Sequence, residues 1–131
     1  MANPNIVSVA SIYAGNYGWN LSNTLTATLL TVDADVILKI NRITCANVDG
    51  SSAADLDLYI DGLGTSGAND LTPTGADATV YLAKTVSVPA DATLVVSSTP
   101  IYLMEGDILK GGASATGDLE LFITYEVLDD A

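Results

Sequence analysis

Residues 55–61 read DLDLYID, and their alternation decides the fold class. Leu56, Leu58 and Ile60 fall on one side of an extended chain, and Asp55, Asp57, Tyr59 and Asp61 fall on the other. That is the pattern of a strand with one face in a core and one in water. A helix would scatter the same residues around its axis. Residues 118–128 (DLELFITYEVL) repeat the pattern: Leu119, Leu121, Ile123, Tyr125 and Val127 alternate with Asp118, Glu120, Phe122, Thr124 and Glu126. This segment is expected to form the longest strand. Residues 79–88 put Val80, Leu82, Val86 and Val88 in phase, and residues 93–98 turn Leu94 inward with either Val96 or Val95. In residues 36–46 the apolar phase runs through Val36, Leu38 and Ile40, then resumes one residue out of step at Ile43 and Cys45. One extra residue restores a core face after such a slip, so a β-bulge is expected near Asn41 and Arg42. Residues 6–14, 24–32 and 101–104 complete a set of about eight or nine strands.

Turn chemistry separates these runs. It is read at residues 48–52 (VDGSS), 15–18 (GNYG), 89–91 (PAD) and 105–107 (EGD), and at Gly111 with Gly112. Pro89 and Pro100 should end strands, because proline cannot donate to a ladder. Strands at this spacing predict an all-β fold, an antiparallel β-sandwich that is jelly-roll-like, in a single domain over residues 1–131. Residues 61–77 (DGLGTSGANDLTPTGAD) form the longest connection, almost without large side chains. A solvated loop, or an arm ordered on assembly, is favoured there over a ligand-binding loop.

The chain has 131 residues, 49% of them apolar and 15% charged, which suits one folded domain and not a disordered chain. Four Lys and Arg against sixteen Asp and Glu give a net charge of -12. Phosphate backbones and anionic headgroups repel such a surface, so no nucleic acid and no membrane partner is expected. With no His and a single Cys, Ser-His-Asp and Cys-His catalysis, His-ligated metals and an intrachain disulfide are excluded. Phosphate-cradling glycine motifs are missing. No apolar run approaches the roughly 18 residues a membrane helix needs, and residues 1–10 do not read as a secretory signal, so synthesis in a host cytoplasm is expected. No metal and no cofactor are expected.

Five groups of side chains are candidates for chemistry. Asp55 with Asp57, and Glu120 with Asp118 or Glu126, stand at a two-residue strand spacing of roughly 6 to 7 Å, within reach of glycosidase geometry. Any acidic strand with a wet face has that spacing, so a solvated face is favoured and no enzyme is expected. Asp33, Asp35, Asp49, Asp61, Asp70 and Asp77 lie near turns, where calcium uses oxygen ligands alone, but no EF-hand spacing is present. Tyr13, Tyr17 and Trp19 fall close together in YAGNYGW. They read as interface or core residues ahead of a sugar-stacking platform. Lys84 interrupts the inward phase of its strand, which marks either a guarded sheet edge or a paired carboxylate. Cys45 reads as a small buried hydrophobe.

Residues 79–128 have a further cadence: VSVPADATLVV, then STPIYLMEGDILKGGASATGDLELFITYEVL. Pro89 marks a turn, and Leu103 leads into Glu105, Gly106 and Asp107. A small-residue segment runs over 111–117, and Tyr125 with Glu126 closes the last strand. In this the chain resembles the small β-sandwich virion proteins of tailed bacteriophages, and its overall style is similar to that of cyanophage structural proteins. The resemblance implies a non-enzymatic virion component. A capsid decoration or cement protein bound to the assembled head and its major capsid protein is expected, with a tail or head-fibre accessory, or a carbohydrate-binding adhesin module, as alternatives. A mean hydropathy of +0.38 leaves apolar surface for sister chains to cover, and a homotrimer is expected. Residues 1–20, and within them Asn5 to Asn20, are read as a docking or exchange arm, with Ile6, Val7, Tyr13, Tyr17 and Trp19 as its interface residues.

Overall fold

A computed structural model describes residues 9–62 and 78–129. Among them are nine strands and no helix: β1 (Ser11–Asn20), β2 (Thr28–Thr31), β3 (Val36–Asn47), β4 (Ala54–Asp61), β5 (Val80–Val88), β6 (Thr93–Ser97), β7 (Ile101–Leu103), β8 (Ile108–Ala113) and β9 (Leu119–Asp129). They pair antiparallel in two sheets. The first has the order β1-β9-β3-β6, with β7 continuing the β6 edge of β3; the second has the order β2-β8-β4-β5. The protein is an all-β sandwich.

The alternating segments put their apolar phase between the sheets. Leu38, Ile40, Ile43 and Cys45 of β3 and Leu119, Leu121 and Ile123 of β9 meet Leu56, Leu58 and Ile60 of β4 and Leu109 of β8, all buried. Each such Leu or Ile contributes about 1.5–3 kcal/mol of transfer free energy. The bulge expected near Asn41 is present. Register passes from Ile40 opposite Tyr125 to Arg42 opposite Thr124, so Asn41 is the extra residue that returns Ile43 and Cys45 to the core. The turns at 48–52, 89–91 and 105–107 are also present. In the last, the Asp107 N–H donates to the Met104 carbonyl at 3.0 Å with Gly106 at φ 87°, a geometry that glycine adopts without steric cost.

Several expectations fail, each for a local reason. The first strand does not turn at residues 15–18; β1 runs through them in unbroken register with β9. Gly15 faces Tyr125, whose ring would lie 2.9 Å from an added Cβ, so this glycine makes room for a cross-strand ring and does not bend the chain. The strand expected over 24–32 shrinks to β2. Gly111 and Gly112 lie inside β8, which was not foreseen. A Cβ on Gly111 would stand 2.1 Å from the Asp57 carbonyl oxygen, and one on Gly112 would stand 2.6 Å from that of Thr24. Close backbone approach is why this strand contains glycine. The longest strand is β3, with 12 residues against 11 for β9.

In β5 Val86 and Val88 keep the expected phase, but Val80 and Leu82 do not stay in the core. Leu56 pairs with Val86, Leu58 with Ala83 and Tyr59 with Tyr81, so β5 carries two extra residues. Ala83 takes the inward place, leaving Val80 and Leu82 exposed. Lys84 falls in the first bulge, next to Thr85 at φ 52°. It is therefore not inward at all: its ammonium lies 4.9 Å from the Tyr81 ring centroid. The strand is nevertheless at a sheet edge. Tyr59, expected in water, is buried on the outer side with its ring 4.9 Å from that of Tyr81.

Candidate functional site

The first sheet is longer than the second at one end, because β1, β3 and β9 have ten to twelve residues and β2 has four. Beyond the packed core the inner face of β9 continues as Tyr125, Val127 and Asp129, which β2 only partly covers. A cleft of about 390 Å³ opens there between the sheets. Tyr17 and Trp19 of β1, Tyr125 of β9 and Val36 of β3 line it from the first sheet, and Leu29 and Leu30 of β2 from the second; Asp33 and Asp129 are also at its lining. The Tyr17 and Trp19 rings are 4.9 Å apart and tilted by 40°. The lining holds aromatic and aliphatic side chains with carboxylates and no cation.

The structure therefore brings together two of the sequence-read aromatics, Tyr17 and Trp19, and adds Tyr125, which the alternation of β9 placed inward without marking it as a site residue. Trp19 packs against the core and Tyr17 is 56% exposed. Tyr13 shares their phase on β1 and is 58% exposed, but does not line the cleft. Ile6, Val7 and residues 63–77, including Asp70 and Asp77, lie outside the described residues.

The carboxylates considered for hydrolysis are not gathered there. Asp57 sits on the outer side of β4, where one of its oxygens accepts the Thr85 N–H at 2.7 Å and caps the bulge in β5. Glu126 is on the outer face of β9, accepting from Asn41 at 3.3 Å with the Lys39 ammonium 4.0 Å away. Asp49 closes the turn after β3 by accepting the Ser51 N–H and hydroxyl, which hold its carboxyl below the usual range. Asp61 accepts from the Thr79 hydroxyl at 2.7 Å and the Gly62 N–H at 3.0 Å, with the Lys110 ammonium 3.3 Å away; these contacts, led by Thr79, lower its pKa. Among the described residues no three acids converge as a metal site. Among the described residues no helix is long and apolar enough to cross a membrane.

The outer face of the first sheet is the other feature of note. Phe122 of β9, Thr44 of β3 and Val95 of β6 lie abreast, with Gly18 of β1 beside Phe122. Phe122 is 44% and Val95 45% exposed, and Ile12 and Tyr102 on the same face are more exposed still. Comparison with family models, with curated proteins and with solved structures finds no match, so the site is read from its own geometry.

Proposed function

We propose that this chain is a non-enzymatic structural protein of a bacteriophage virion, a capsid decoration or cement protein that binds the assembled head as a homotrimer. The observation that carries the reading is the exposed apolar side chains on the outer face of the first sheet, Ile12, Val95, Tyr102 and Phe122, in a chain of net charge -12. Like-charged acidic molecules repel, so contact between copies needs a face where apolar area outweighs charge. This face carries Lys39 and Arg42, two of the four cations of the chain, along with Glu120 and Glu126. Two further points support the reading. The order β1-β9-β3-β6 over β2-β8-β4-β5 supports a jelly-roll reading, and viral capsid domains use that architecture repeatedly. The cadence of residues 79–128 resembles small virion sandwiches.

The test is binding to the particle. The purified chain is expected to sediment with cognate heads and to appear in their density map as symmetric copies on the shell. Absence from the particle, or a place confined to the tail, would overturn the head-decoration reading.

A further inference from the structure

Four strand edges border the two sheets, and three of them are guarded. The β6-β7 edge is broken between Ser97 and Ile101, where Pro100 stands. The β5 edge carries two bulges and Lys84. The β2 edge is four residues long with a register shift. Bulges, proline, lysine and shortness are the devices by which sheets prevent unwanted strand pairing. By contrast β1 (SIYAGNYGWN) is ten residues long, pairs one to one with β9 without a shift, and contains no charge and no proline. Every second residue of such a strand turns its N–H and C=O away from its neighbour, and among the described residues no other strand pairs with β1. This open edge is also a wall of the cleft. A strand added to β1 would direct alternate side chains toward the space beside Tyr17, Trp19 and Tyr125.

We infer that β1 and the cleft form a strand-addition site for an extended segment of another protein, with aliphatic side chains at alternate positions and a Lys or Arg in the same phase, on the face turned to Asp33 and Asp129. Main-chain hydrogen bonds to β1 supply affinity, and the cleft supplies selection. The aliphatic and aromatic lining takes the apolar side chains. Charge complementarity sets the rest: among the described residues Asp33 and Asp129 are the charged groups of the lining, and the chain carries a net charge of -12. The inference rests on the assembly reading in one respect, that the occupant is a protein.

The probe is a blocked eight-residue peptide, Lys-Thr-Val-Thr-Val-Thr-Lys-Thr, whose Val and Lys side chains share one face of the strand, titrated into the full chain. Trp19 is the single tryptophan, so its fluorescence reports the cleft, while amide exchange reports the β1 edge. Saturable binding is expected, with protection of alternate β1 amides. At least about tenfold weaker binding is expected when alternate peptide nitrogens are methylated, because one edge of the added strand then cannot donate. A few-fold loss is expected for Asp33→Asn, and a larger one when both Lys of the peptide are replaced by Glu. Equal binding of the methylated peptide, equal binding of the Glu peptide, or no binding would overturn the inference. So would a Trp19 response to neutral oligosaccharides alone, or β1 protection that rises with protein concentration without peptide. Particle binding that persists while the peptides fail removes strand addition and leaves the decoration role. Peptide binding in a chain that ignores particles does the reverse.

Discussion

At the scale of single residues, the informative positions are buried polar groups, and alternation does not reveal these. Asn47 is buried at the end of β3. Its amide donates to the Ser52 carbonyl at 3.0 Å and the Val88 carbonyl at 2.9 Å, and its oxygen accepts the Asp49 N–H at 2.9 Å. It joins the β3-β4 turn to the end of β5, and Asn47→Ala is expected to cost about 2–3 kcal/mol in denaturant unfolding by leaving buried carbonyls unpaired. Asp107 is also buried. One oxygen accepts the Met104 N–H at 2.9 Å, while Oδ1 has no hydrogen-bond partner. Burial raises its pKa, and the Met104 bond only partly opposes this. A raised folded pKa means that its contribution to stability is full below the unfolded pKa and is lost as pH rises through the folded one. Asp107→Asn, which keeps an acceptor for Met104, is therefore expected to stabilise the protein by about 1–3 kcal/mol at neutral pH. That gain should vanish in acid; an unchanged difference across pH would contradict it. Cys45 was legible as a buried hydrophobe. It is fully buried and its thiol is pushed up to about 11, so iodoacetamide labelling at mildly alkaline pH is expected only at the rate of unfolding.

At the scale of elements, strands with a strict period of two were readable because each has one dry face, as in β4 and β9. The bulge in β3 was readable because a single slip leaves apolar residues on both sides of it. The two bulges of β5 were not, because they cancel: Val86 and Val88 keep the expected phase while Leu82 gives its place to Ala83. Glycine misled in both directions. The glycines of residues 15–18 and those of β8 suggested turns, yet Gly15 accommodates the Tyr125 ring and those of β8 the carbonyls of Asp57, Ser22 and Thr24. Gly112→Ala is accordingly expected to destabilise by about 1–3 kcal/mol through forced displacement of the 22–24 segment, measured by thermal unfolding. A neutral effect would mean that this segment yields freely. The cleft was only half legible. Tyr17 and Trp19 could be marked from composition, but Tyr125 and Asp33 join them only through the mismatch in length between β2 and the strands facing it.

For the whole molecule, charge and hydropathy pull in opposite directions. A net charge of -12 opposes contact between copies, while Ile12, Val95, Tyr102 and Phe122 expose apolar area on one face. The assembly account requires the second effect to win at that face and the first to operate elsewhere. Phe122→Glu tests this without touching the core, since the side chain points outward: it is expected to separate the copies while leaving thermal stability within about 0.5 kcal/mol of the parent. Raised salt is expected to strengthen association by screening the acidic surfaces. The most direct measurement is sedimentation equilibrium of the intact chain beside its Phe122→Glu variant. The account predicts a homotrimer for the parent and a folded monomer for the variant. A parent that remains monomeric across the accessible concentration range, or a variant that associates equally well, would contradict it.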